Sequence, residues 1–127
     1  MRQNISSGAK WEPLVGYSRA VRIGNTIAVS GTVGVAADGS IPPDAYQQAR
    51  RALEIIAIAL QSAGAAMTDV IRTRMFLTDM KYFQDVARAH GEVFGTIRPA
   101  TSAVAVAALV DPAFLVEIEA DAVIPAQ

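Results

Sequence analysis

The chain is 127 residues long with a net charge of −1, and it is 52% hydrophobic but only 18% charged. That suffices for one domain, residues 1–127, with a sizeable core, and is short for two. The lack of any basic run excludes the concentrated Lys/Arg surface on which nucleic-acid binding rests. The lack of cysteine excludes disulfides, thiolate catalysis and cysteine–metal sites.

Residues 1–10 can supply an edge strand. Ser18 to Ile23 and Thr26 to Ser30 have β character, and Gly24-Asn25 between them is a good hairpin turn. Gly31 to Pro43 reads as a loop. A helix is predicted from Asp44, a plausible N-cap, with Ala45, Ala49, Leu53, Ile56 and Leu60 at helical spacing, Ala52 and Ala63 beside them, and Gly64 at its end. Val70 to Leu77 alternates, with Ile71, Thr73, Met75 and Leu77 on one face and Arg72, Arg74 and Phe76 on the other.

Thr78 or Asp79 can cap a second helix, ended by Gly95, whose apolar stripe is Phe83, Val86, Ala87, His90, Val93 and Phe94. Ser102 to Val110 is almost wholly apolar and reads as a central strand. Leu115 to Ile124 alternates cleanly, placing Glu117, Glu119 and Asp121 together on one face. The pattern predicts an α+β fold, a mixed sheet with two helices on one face. So short a chain has little material to cover the other face, and its apolar excess points to burial against further copies of itself.

The three carboxylates either form a solvated face, pair across strands with Arg72 and Arg74, or, in a cleft, handle water and protons. His90, on an apolar stripe, reads as a packed histidine more readily than as a catalytic base. Its isolation, with no HxH or HExxH pattern, gives no metal site. Tyr17 can be an edge aromatic, and Ser30-Gly31 can present backbone N–H groups to a ligand. With no leader pattern and no apolar run near the roughly 18 residues of a membrane span, a soluble cytoplasmic protein with no membrane partner is expected.

Together these segments resemble a known family. Gly16-Tyr17-Ser18-Arg19-Ala20-Val21 and Gly24-Asn25-Thr26-Ile27-Ala28-Val29-Ser30-Gly31 are similar to the opening hairpin of the Rid (YjgF-like) reactive-intermediate deaminases. Gln48-Ala49-Arg50 with Leu53 and Ala63-Gly64 resembles their first helix. Arg98-Pro99-Ala100-Thr101-Ser102 and Val116-Glu117-Ile118-Glu119-Ala120 resemble their C-terminal signatures. The resemblance implies a chorismate-mutase-like subunit assembled as a homotrimer with ligand clefts between neighbours. It implies hydrolysis of imines or enamines to carbonyl compounds and ammonia, without metal or organic cofactor.

By position, the resemblance makes Glu117 the residue that orients water and places Tyr17 in the cleft wall. Ser30 and Gly31 would offer main-chain contacts, and the chain near Ala103 would hold the substrate. One position departs: deaminating members carry Arg directly after Pro-Ala, where this chain has Thr101. A hydroxyl cannot replace a charge-assisted carboxylate contact contributing roughly 1.5–3 kcal/mol, so amino-acid-derived imines should bind about tenfold or more weakly. Arg88 and Arg98 are the nearby cations that can compensate. A metabolite-binding trimer without turnover is the alternative, and a ribonuclease or translation inhibitor, names used in the wider family, a remote one.

Overall fold

The computed structural model describes residues 1–126. Strand β1 (Arg2–Ile5) is followed by a one-turn helix α1 (Trp11–Val15), the hairpin β2 (Ala20–Ile23) and β3 (Thr26–Thr32), and the long helix α2 (Ala45–Ser62). Then come β4 (Val70–Leu77), α3 (Phe83–Phe94), β5 (Ala100–Ala105) and β6 (Val116–Val123). The six strands form one mixed sheet in the order β1-β2-β3-β6-β4-β5, antiparallel throughout except for the parallel β4–β5 pair.

Helix α2 packs on α3 and over β3 and β6, so the helices lie on one face of the sheet. Asp44 caps α2 by accepting the Gln47 N–H at 2.8 Å, and Gly64, at φ 85°, supplies the left-handed residue beyond it. The stripe Ala45, Ala49, Ala52, Leu53, Ile56, Leu60 and Ala63 is buried. It meets Ile27, Val29, Val116, Ile118, Ala120 and Ala122 from the sheet, an aliphatic core as the alternation predicts.

Gln48 is the polar exception in this layer. Its Nε2 donates to Pro42 O and Ala113 O, both at 3.0 Å, and its Oε1 accepts the Leu115 N–H at 2.9 Å. One buried amide thereby ties the loop entering α2 to the turn entering β6, with its hydrogen-bonding capacity used on backbone.

Several details differ from the sequence expectation. The apolar run expected as a central strand from Ser102 to Val110 forms only β5, at the sheet's edge, and Val104 there is 46% exposed. Among the described residues no strand pairs with the outer edge of β5. The strand expected to end at Ser30 runs to Thr32. Ile71 does not share the buried face of Thr73, Met75 and Leu77, because the β4–β6 ladder shifts between Val70 and Arg72 and turns it outward. Asp79 caps a single 3₁₀ turn at Met80–Tyr82 rather than α3 itself, and Phe83, at the start of α3, stays partly exposed. Helix α1 gives no usable period over five residues.

Candidate functional site

Strand alternation turns Glu117, Glu119 and Asp121 to the face away from the helices, and their fates then diverge. Arg74 on β4 lies opposite Glu119 and bonds both Glu119 Oε1 at 3.1 Å and Asp121 Oδ2 at 3.2 Å. That cross-strand pairing is the structural role open to an acidic face. Glu117 instead lies opposite uncharged Phe76 and has no ion-pair partner among the described residues.

On its other side Glu117 meets β3 where the β3–β6 register slips between Val29 and Thr32. Ser30 and Gly31 occupy this bulge, and the carboxylate lies over Gly31. A Cβ built there would fall 2.5 Å from Glu117 Oε2 and 2.8 Å from its Cδ. Half-burial pushes the Glu117 carboxyl above the usual range, neighbouring Glu119 raises it further, and Arg19 opposes the rise.

Tyr17 reaches this site through Arg19. The Arg19 guanidinium donates through Nη2 to Tyr17 Oη at 3.2 Å, and through Nη1 to Gly31 O at 2.6 Å and Thr32 Oγ1 at 2.9 Å. Thr32 Oγ1 in turn donates to Ser30 O. Ser30 is more structural than the sequence suggests: its N–H donates to Arg19 O and its hydroxyl to Ser18 O. It therefore shapes the bulge, and its N–H is not presented to a ligand.

The remaining candidates lie elsewhere in the subunit. Thr101 and Ala103 are on β5, in register with Thr73 and Met75 of β4. Thr73 Oγ1 bridges Thr101 Oγ1 at 2.7 Å and His90 Nε2 at 2.8 Å, so the histidine is packed, as its stripe position implies, and burial pushes its pKa down. Arg88 is exposed on α3, stacked 3.7 Å from the Tyr46 ring centroid and 3.9 Å from Asp85. Arg98 is exposed beyond α3, with a left-handed φ of 55° and its N–H donating to Phe94 O. One chain thus unites Tyr17, Ser30, Gly31 and Glu117, and leaves Thr101, Ala103 and Arg88 apart from them.

Arg19 is the residue that sequence reasoning passed over. It stands in the quoted motif beside Tyr17, yet an arginine at the start of a short strand reads as a surface charge; here it is only 7% exposed. Two concavities of about 640 and 600 Å³ flank the N-terminal segment; Arg19 and Thr32 line the first, Tyr17 the second, and Glu117 lies in neither. Among the described residues no cluster of three or more His, Asp or Glu is arranged to hold a metal, and no helix is long and apolar enough to cross a membrane.

A six-stranded mixed sheet with helices on one face, carrying an unpaired carboxylate over a glycine bulge, defines an α+β fold with a candidate acid–base site. Residues 8–124 match the family model described as Endoribonuclease L-PSP, and the chain belongs to this family, the YjgF/RutC group. A YjgF/YER057c/UK114-family protein from Mycobacterium tuberculosis shares 48% identity at a TM-score of 0.91, over 98% of this chain and all of that one. The goat (Capra hircus) 2-iminobutanoate/2-iminopropanoate deaminase is 36% identical over 95% of this chain and 90% of its own length. Escherichia coli TdcF, solved with bound serine, is 28% identical at a TM-score of 0.82, over 96% and 94% of the two chains.

Proposed function

We propose that this protein is a hydrolase of small imines or enamines, releasing ammonia, with water oriented by Glu117. The observation that carries this reading is the unpaired Glu117 carboxylate held over Gly31 while Glu119 and Asp121 on the same face are both paired with Arg74. Water adds to the C=N carbon as its proton passes through the carboxylate to nitrogen. The carbinolamine hydroxyl then yields its proton through the same carboxylate to nitrogen as C=O forms and the C–N bond breaks, leaving a carbonyl compound and ammonia. A carboxyl raised by burial suits this transfer, because it is a stronger base than an exposed glutamate and closer to the working pH, where a shuttling group is most effective. Relatives named as deaminases of 2-iminobutanoate support the substrate class.

The working assembly in this proposal is a homotrimer. Glu117 lies in neither of the two concavities beside the N-terminal segment, and Thr101 and Ala103 sit on the edge strand β5. A second copy laid against the uncovered face and presenting its β5 edge would complete a cleft from the two halves. Tyr17, Gly31 and Glu117 would come from one subunit and Thr101 and Ala103 from the next. A cytoplasmic setting belongs to the same proposal and is tested by fractionation.

The test is ammonia release from 2-iminoacids generated in situ by an amino-acid oxidase. The native protein should accelerate it, and Glu117→Gln should slow it by about 10²–10⁴-fold with ligand affinity largely kept. If the native protein is silent and Thr101→Arg is active, the cleft is built for a substrate without a carboxylate. The hydroxyl at position 101 is the observation behind that second reading. Silence in every variant would instead support a metabolite-binding trimer.

A further inference from the structure

We infer that Arg19 is the positioning residue of this site: one buried guanidinium holds the bulge under Glu117, fixes the Tyr17 hydroxyl, and supplies the positive charge facing the carboxylate. The inference rests on the proposed role of Glu117 and adds a residue to it.

The bulge creates the need. Where β3 slips out of register with β6, carbonyls lose their ladder partners, and a buried unpaired carbonyl costs roughly 1–3 kcal/mol. Arg19 Nη1 takes up Gly31 O at 2.6 Å and Thr32 Oγ1 at 2.9 Å, and Thr32 Oγ1 passes on to Ser30 O at 2.8 Å. The guanidinium therefore holds the segment bearing Gly31, the residue on which the Glu117 carboxylate lies. Nη2 reaches Tyr17 Oη at 3.2 Å, with the guanidinium carbon 5.4 Å from the ring centroid. A lysine has no planar fork and would have to drop some of these three partners.

The charge is the less ordinary feature. Arg19 is more than nine-tenths buried, its Nε has no hydrogen-bond partner, and no described carboxylate lies within ion-pair distance. Burying an unpaired charge is expensive, so a neutral side chain would serve better if the role were packing alone. The groups around Glu117 show what the charge faces. Its own strand contributes Glu119 and Asp121, β4 contributes Arg74, held by those two, and Arg72 farther along opposite Asp121, and β3 contributes uncharged Gly31. Arg19 is bonded to the carbonyl of Gly31, the residue on which the Glu117 carboxylate lies, and its charge draws the carboxyl down against burial and Glu119.

The test follows the Glu117 side-chain carboxyl by carbon NMR in glutamate-labelled protein, assigned through Glu117→Gln, in native, Arg19→Gln, Arg19→Met and Arg19→Lys forms. The neutral variants should raise the titration midpoint by about one pH unit, a tenfold change in acid dissociation constant, whereas Arg19→Lys should restore it close to native. In the ammonia-release assay the acidic limb of the pH profile should move by the same amount. An unchanged midpoint in either folded neutral variant overturns the inference, as does a lysine variant that titrates like the neutral ones. Because the NMR readout needs no turnover, a shifted midpoint in an inactive protein would refute the hydrolase reading and leave the coupling standing.

Discussion

The Glu117 carboxylate occupies the space into which a side chain at Gly31 would grow. The two residues sit on adjacent strands at a break in their register, and the carboxylate rests on bare backbone. No positive φ is involved, so it is room for Glu117, not backbone conformation, that favours glycine here.

Substituting Gly31 with alanine should therefore cost activity more than stability. The new methyl meets the mobile end of a half-buried glutamate, which can swing away, so unfolding free energy should change by less than about 1 kcal/mol. Ammonia release should fall with Glu117 displaced. Gly34→Ala is the control with the opposite outcome. Its Cβ would run into the Gln48 backbone carbonyl inside α2, which cannot swing aside, and overpacking of this kind typically costs about 1–3 kcal/mol. Urea unfolding of both variants separates the two cases.

Turnover should be lost as pH falls through the Glu117 midpoint. Burial and Glu119 hold that carboxyl above the ordinary glutamate range, so the acidic limb should lie at higher pH than an exposed glutamate would give. A limb at or below the usual carboxylate range would show that another group controls the rate.

His90 should make folding stability depend on pH between its lowered native pKa and the ordinary value of about 6.5. Above that value the histidine is neutral in both states. As pH falls through it, the unfolded chain takes up a proton that the packed imidazole beside Thr73 does not, and stability declines. Glu117, raised in the folded state, acts in the opposite sense: its contribution is present at low pH and lost as pH rises through its folded midpoint. Comparing native protein with His90→Gln cancels the Glu117 effect. The native urea midpoint should drop more between pH 7.5 and pH 5 than that of the variant, and parallel curves would refute the assignment.

Gln48→Leu should destabilise the fold by about 3 kcal/mol or more, although it adds apolar volume to an apolar layer. It strands Pro42 O, Ala113 O and the Leu115 N–H, each costing roughly 1–3 kcal/mol where water cannot reach. Denaturant unfolding reads the loss directly, and a neutral or stabilising result would mean that these backbone groups find water.

Assembly is tested at the sheet's edge. Val104, partly exposed on β5, should be covered in the proposed trimer, so Val104→Glu should give monomers in sedimentation while the fold persists. An unchanged mass would place the interface elsewhere.

The sequence by itself determined the order of elements apart from α1, the ends of α2 at Asp44 and Gly64, the aliphatic stripe of α2 and the two-faced alternation of β6. These depend on period and local chemistry, which a chain carries without knowing its partners. It also put Tyr17, Ser30, Gly31 and Glu117 forward, through short motifs resembling a family to which the chain proves to belong. Tertiary structure alone decided which of three equivalent carboxylates stays unpaired, because that depends on Arg74 lying opposite Glu119 and Phe76 opposite Glu117. It likewise made the apolar β5 an edge and turned Ile71 outward at a register slip. It also buried Arg19 beneath the bulge. Strand neighbours and register are set by contacts between residues far apart in sequence, and periodicity within one strand carries no record of them.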